Sequence, residues 1–383
     1  MPALSDSARP SGAPVTIREI SLEVRSGASD GAGNAVRRWS RRRGCLLRVR
    51  DADGHVGLGE ASPLPDYSPD AFDDVHAALT DWRPHAIEAS AAGLDAALTS
   101  LPQTLPAARF AAETAVLDLL ARRAGRSYAD ELAALTGRRR PATSLRTAAL
   151  LTLDLDADDG WGSTGERAAR LLDLGFSTLK IKVGRPGLFD AEVSALRRLR
   201  RHLGDDVALR LDANRAWAHG GIETKLGALA ELDVEFLEEP TEAPYLPDGE
   251  TAVPLALDES LRLDPESVRR LVESGAYRVA VLKPLVLGGA VACLRLATRL
   301  RDAGLGAVAS HGFDGPVALQ ATAALAAVLD GPSGRRCAHG VAPHAGLDAW
   351  PAAGGPWVHG ANLEIPSDAV GLGLGVSSSG LSP

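Results

Sequence analysis

Leu179-Lys180-Ile181-Lys182-Val183-Gly184 opens a stretch that closes at Val281-Leu282-Lys283-Pro284, and three acidic signatures stand between them. These are Leu211-Asp212-Ala213-Asn214, Leu237-Glu238-Glu239-Pro240 and Leu257-Asp258-Glu259-Ser260. Each ends a short run of apolar, β-prone residues, such as Val207-Ala208-Leu209, and turn residues follow, which is how a buried strand finishes. The intervals between Lys182, Asp212, Glu238, Asp258 and Lys283 each fit one strand and one crossover helix, the repeat of a parallel sheet. Successive strands therefore present a charge at the same end, where a TIM-type barrel carries its chemistry.

Alternation adds direction. Side chains at i and i+2 share a strand face, so Lys180 and Lys182 point the same way, as do Arg210 and Asp212. Lysine occurs only at Lys180, Lys182, Lys225 and Lys283 in a chain of 41 basic residues. Where a generic cation suffices the chain uses Arg, which cannot serve as a proton-transfer base, whereas a buried Lys beside other cations can. Asp212, Glu238 and Asp258, from three adjacent strands, suit a hard divalent cation, with Mg²⁺ the expectation and Mn²⁺ a substitute. The bland alternative is three carboxylates paired only with the lysines. A metal flanked by lysines describes a site that removes a proton next to a carboxylate.

The order Lys-x-Lys, Asp-x-Asn, Glu-Glu-Pro, Asp-Glu-Ser, Lys-Pro resembles that of the enolase superfamily in its muconate-lactonising branch, over essentially the whole chain. Gly59-Glu60-Ala61-Ser62-Pro63-Leu64-Pro65-Asp66-Tyr67-Ser68 is similar to a segment of the o-succinylbenzoate synthases within that branch. Read without the resemblance, the same run is a Gly/Pro-punctuated loop in which Glu60 caps backbone donors or touches substrate. The resemblance implies a modified TIM barrel, (β/α)7β, with an N-terminal α+β capping domain. It also implies a lyase that dehydrates 2-succinyl-6-hydroxy-2,4-cyclohexadiene-1-carboxylate, a step towards menaquinone. In that reading Lys182 is the base and returns the proton to the leaving hydroxyl, Lys283 is a charge facing the ring, and Lys180 lowers the pKa of Lys182. Arg210 adds positive potential, Asn214 orients Asp212, and Glu239 belongs to the supporting set. Relatives use the Ser310-His311-Gly312 loop for the far end of the substrate, and one arginine of residues 37–43 meets a substrate carboxylate. The same lysine pair serves an N-acylamino-acid racemase or dipeptide epimerase, or dual activity. A non-catalytic binding barrel is the alternative from another class.

The rest of the chain bounds these readings. A net charge of −8, scattered basic residues and no aromatic-basic interleaving argue for a small-molecule carboxylate substrate and against nucleic acid. Cys45, Cys293 and Cys337 have neither disulfide-framework nor zinc spacing, and no leader or membrane-length apolar run is evident, so a cytoplasmic protein without membrane attachment is expected. A homo-oligomer is compatible with everything read so far. Residues 1–14 read as a flexible tail, 15–140 as the cap, 141–345 as the barrel, and 346–383 as a segment returning to the cap. The cap should hold a strand from Val15 to Val24, a Gly/Ala/Ser loop from Gly27 to Ala35, and helices at Asp70 to Trp82, Ala86 to Leu98 and Ala107 to Arg123. In the third of these, Glu113 and Asp118 read as structural. The Gly-rich Ser310 to Gly315 precedes an Ala/Leu-rich helix, so its backbone N–H groups offer an anion site. A last short strand is expected near Arg336 to Val341.

Overall fold

The computed structural model describes residues 14–33, 38–156, 161–247, 249–331, 337–344, 360–365, 368–377 and 380–382. The tail expected at residues 1–14 lies outside the described residues except at its last position. The cap begins with β1 (Val15–Gly33), β2 (Arg38–Asp51), β3 (Val56–Ala61) and β4 (Ala86–Ile87), in the antiparallel order β3-β2-β1-β4. β1 runs past the predicted strand end, because Gly27 and Ala28 pair with Arg42 and Arg41 and the ladder resumes at Ala32 and Trp39 beyond an irregularity. The predicted loop from Gly27 to Ala35 is thus largely strand. Cross-strand pairing overrides the weak β-propensity of its small residues.

Helices Phe72–Asp81 and Pro106–Arg123 lie where apolar spacing placed them. The helix expected from Ala86 instead starts at Ala91, because Ala86 and Ile87 pair with Thr16 and Val15 and Ser90 then caps the amide of Gly93. After helix Tyr128–Leu135 and the short β5 (Ser144–Arg146), a parallel sheet runs through β6 (Ala149–Leu151), β7 (Thr178–Lys182), β8 (Ala208–Asp212), β9 (Val234–Glu238), β10 (Leu255–Leu257), β11 (Tyr277–Leu282) and β12 (Gly306–Ala309). Its seven strands follow one another in sequence order, with the helices as crossovers. The expected eighth strand is a narrow one: His339 bridges Thr147 and Gly340 bridges Ser310, joining the first edge of the sheet to the last. The barrel is closed through these two residues.

Most strand residues are buried, as parallel strands under helices should be, with Leu150, Glu235 and Arg278 among the exposed exceptions. Inside the barrel Phe236, Ala256, Val281 and Val308 form their own apolar cluster. β13 (Asn362–Glu364) pairs with β5, Leu372 N–H donates to the Asp118 carboxylate at 2.7 Å, and Arg122 donates to the Leu374 carbonyl at 2.9 Å. Asp118 is therefore structural, as is Glu113, whose carboxylate accepts from the Ala290 and Val291 amides at the start of helix Ala290–Asp302. No helix among the described residues is long and apolar enough to cross a membrane.

Candidate active site

Register brings the charged strand ends to one level. Lys182 pairs with Asp212, Asp212 with Glu238, and Glu238 with Ala256, two residues before Asp258. Lys283 and Ser310 follow the last paired residues of β11 and β12, Leu282 and Ala309. A cavity of about 120 Å³ opens at this level. Lys180, Lys182, Asp212, Asn214 and Lys283 line its floor, and Ser310, His311 and Gly312 line one side. Its roof is apolar: Trp39 and Leu64 from the cap cluster with Tyr67 and with Phe313 from the barrel.

The Lys180 ammonium bridges two carboxylates, 2.8 Å from Asp212 and 2.6 Å from Glu238. Burial opposes its charge, but those two neighbours outweigh burial and hold the Lys180 pKa above the usual lysine value. Lys283 pairs with Asp258 and donates to the Tyr67 hydroxyl at 2.5 Å, and its pKa is likewise held up against burial, by Asp258 first. Lys182 is different. Its ammonium donates to the Gly33 carbonyl at 2.7 Å, and burial, helped by Lys180 and Lys283 against Asp212, lowers its pKa to about 8. The expected effect of Lys180 on Lys182 is present, though burial is the larger cause. Asp212 is held low by the three lysines against burial, while Glu238 is pushed up by burial and then, against Lys180, by Asp212 and Asp258.

The supporting residues separate into two groups. Glu239 ties β9 to the loop after β10, accepting from the Asp258 and Ser260 amides at 2.8 Å each and from the Ser260 hydroxyl at 2.8 Å. Asn214 orients Asp212 through its backbone N–H, 3.0 Å from Oδ1, rather than through its side chain. Arg210, two residues deeper on β8, sits over the Phe236 ring at 4.6 Å, donates to the Ala338 carbonyl at 2.6 Å and pairs with Glu235 at 2.7 Å. Two residues along a strand is roughly 6–7 Å, so its charge is neutralised below the cavity instead of facing it. No arginine of the described part of residues 37–43 lines the cavity: Arg42 is buried against the Ser62 carbonyl at 2.9 Å, and Arg43 pairs with Asp73 at 3.0 Å. Arg37 lies outside the described residues.

The anion site expected at the start of helix Pro316–Asp330 is already filled. Glu60 of the cap accepts from Gly315 N at 2.7 Å, Val317 N at 3.0 Å and Ala318 N at 3.4 Å, and Gly312 N donates to Asp314 at 3.2 Å. Ser310, His311 and Gly312 still border the cavity, with the His311 ring stacked on His344 at 4.4 Å. Trp39, Phe313 and His344 are lining residues that sequence reasoning does not name, and Tyr67 enters it only as part of the Gly59–Ser68 segment. Aromatic residues are only 4% of this chain, so Tyr67 and Phe313 in Gly/Pro-rich loops are the signal that pointed to them.

Three buried carboxylates from adjacent strands form a hard oxygen set, and Glu238, pushed up by burial first and then by Asp212 and Asp258, is a carboxylate whose charged form a nearby cation would favour. The donor set therefore fits a divalent cation. The fit requires movement, because Asp212, Glu238 and Asp258 do not bring one oxygen each within 4.8 Å; Asp258 is drawn to Lys283. Among the described residues the tight carboxylate-imidazole group is Asp51, Asp53 and His55 in a cap turn, and Arg123 already pairs with both of its carboxylates.

Lysines and carboxylates at the C-terminal mouth of a capped barrel define a class of enzyme that handles protons beside a carboxylate. Residues 163–379 match the family model described as enolase C-terminal domain-like, and the chain belongs to the enolase superfamily. It is 28% identical to a hydrophobic dipeptide epimerase of Roseobacter litoralis over 333 residues, 84% of this chain and 88% of that one. It is 30% identical to an o-succinylbenzoate synthase of Klebsiella pneumoniae over 301 residues, 76% of this chain and 81% of that one. A dipeptide epimerase of Enterococcus faecalis V583, solved with Mg and L-Leu-L-Tyr, superposes with a TM-score of 0.77 at 22% identity, covering 94% of this chain and 99% of that one. That likeness is one of fold.

Proposed function

We propose that the protein is an o-succinylbenzoate synthase, dehydrating 2-succinyl-6-hydroxy-2,4-cyclohexadiene-1-carboxylate. The observation that carries this reading is the lining of the cavity. Lysines and Asp212 form its floor, an aromatic roof of Trp39, Tyr67 and Phe313 covers it, and Asp212 is the one carboxylate among the described lining residues. A flat apolar ring bearing a carboxylate suits that surface. The ammonium of a free dipeptide would need an acidic partner, and Asp314 does not offer one: it is fully buried, holds the Gly312 amide, and is absent from the lining. The K. pneumoniae relative supports the same choice.

Asp212, Glu238 and Asp258 would hold Mg²⁺, which when bound supplies positive charge for the carboxylate oxygens as the α-carbon loses its proton. Lys182, with its pKa near 8, supplies an appreciable fraction of neutral amine at neutral pH and takes that proton. As the C–O bond breaks, the same proton passes to the departing hydroxyl, water leaves, and Lys182 is again an amine. Lys283 stays charged at the cavity wall, where an ammonium is favoured by the face of a ring becoming aromatic. Lys180 keeps Asp212 and Glu238 together.

A second reading, racemisation of an N-acylated amino acid, has its own support: Lys182 and Lys283 both line the cavity, and several relatives at similar identity are epimerases. An N-acyl group removes the ammonium, so the apolar roof does not exclude such a substrate. Mg²⁺-dependent loss of the cyclohexadiene absorbance by the purified protein tests the first reading.

A further inference from the structure

Tyr67 reaches the barrel from the cap loop that follows β3, and its hydroxyl is a hydrogen-bond partner of Lys283 at 2.5 Å. The loop holds it firmly. Its backbone N–H and that of Ser68 donate to the Leu64 carbonyl at 3.2 and 2.9 Å, and the Ser68 hydroxyl accepts from Leu64 N at 2.9 Å. Its ring packs edge-on to Trp39 with centroids 6.4 Å apart. Arg262, in the segment just beyond Asp258, donates to its carbonyl at 3.2 Å, so cap and barrel both fix the residue. Lys283 has two anchors, the Asp258 carboxylate and this hydroxyl. If Asp258 serves a metal, as the proposed function has it, the hydroxyl is the anchor that remains.

We infer that Tyr67 is a positioning residue that sets the type of reaction: it tethers Lys283 as a stationary charge and leaves Lys182 as the only group that moves a proton. The distinction matters because two reactions begin alike on this floor. In dehydration the α-proton goes to the Lys182 amine, the C–O bond breaks, and that proton leaves within water. In racemisation at an α-carbon the proton goes to Lys182 while Lys283 delivers another to the opposite face, after which solvent takes the proton from Lys182 and returns one to Lys283. Dehydration needs Lys283 only as charge, whereas racemisation needs its ammonium to swing to carbon on a flexible four-carbon stem. A tether at Nζ permits the first and hinders the second. The inference rests on the proposed role of Lys182 and goes beyond it, since it assigns control of the outcome to a cap residue.

Tyr67→Phe keeps the ring and removes only the hydroxyl. Two rates on the same preparation decide the matter: dehydration of the diene, and racemisation of an N-succinylated amino acid, followed by chiral analysis with Mg²⁺ present. The expected result is a fall of about tenfold in dehydration kcat with KM within about twofold, and a rise of at least about tenfold in the ratio of racemisation to dehydration. The added racemisation should vanish in Tyr67→Phe/Lys283→Met. A structural role alone would lower both rates together. An unchanged ratio, or extra racemisation that survives Lys283→Met, overturns the inference. Wild-type protein that fails to dehydrate the diene overturns the proposed function and this inference with it; wild-type turnover with an unchanged ratio overturns the inference alone.

Discussion

Replacing Glu60 with Ala should loosen the cap from the barrel by an amount the structure allows to be worked out. Glu60 is 2% exposed and stands at the start of helix Pro316–Asp330, with both carboxylate oxygens accepting. Two of its backbone contacts, to Gly315 and Val317, are at 3.0 Å or less, while the third, to Ala318 at 3.4 Å, is weak. A buried N–H left without its acceptor costs about 1–3 kcal/mol, and a carboxylate at a helix N-terminus adds roughly 0.3–2 kcal/mol. Against this, the variant no longer buries a carboxylate, whose burial raises the Glu60 pKa. The net expectation is about 3 kcal/mol, on the order of a hundredfold in a local opening equilibrium. Amide hydrogen exchange at Gly315, Val317 and Ala318 reads it directly and should quicken by about that factor. Because Gly312 and Phe313 border the cavity, kcat/KM should fall as well. Protection at these amides unchanged within about threefold would refute the assignment of Glu60 as the cap of that helix.

Lys182→Ala should abolish dehydration while leaving Mg²⁺ affinity intact, and substantial residual turnover would remove Lys182 from the base role. With a Lys182 pKa of about 8, wild-type kcat/KM should rise with pH up to about that value, since the neutral amine is the reactive form; a rate independent of pH between 6 and 9, roughly, would contradict this. Asp258→Asn should weaken Mg²⁺ binding measured by calorimetry by at least about tenfold, and unchanged affinity would mean that the three-carboxylate site is wrong.

Much of the site was legible because strands have a strict period. Alternation put Lys180, Lys182 and Asp212 on one inner face, and the βα interval put Glu238, Asp258 and Lys283 at the same barrel end. Periodicity gives a face but not a depth, so Arg210 was correctly placed on the Asp212 side and its role misjudged; its salt bridge with Glu235 below the cavity is a register fact. The hairpin that brings Gly33 to Lys182 reads as a loop in the sequence, because small residues carry little β-signal and their partner strand decides. Glu60 and Tyr67 act on groups 255 and 216 residues away, contacts that no local pattern encodes. For Glu60 the sequence correctly offered capping as one of two roles without naming the helix.

The most direct test of the proposed function is kcat/KM for the cyclohexadiene substrate, from ultraviolet absorbance, beside kcat/KM for racemisation of N-succinylated amino acids, with and without Mg²⁺. The proposed function predicts Mg²⁺-dependent dehydration exceeding racemisation by at least about a hundredfold. Racemisation without measurable dehydration would contradict it, leaving the lysines and carboxylates in place but assigning them to the two-base reaction.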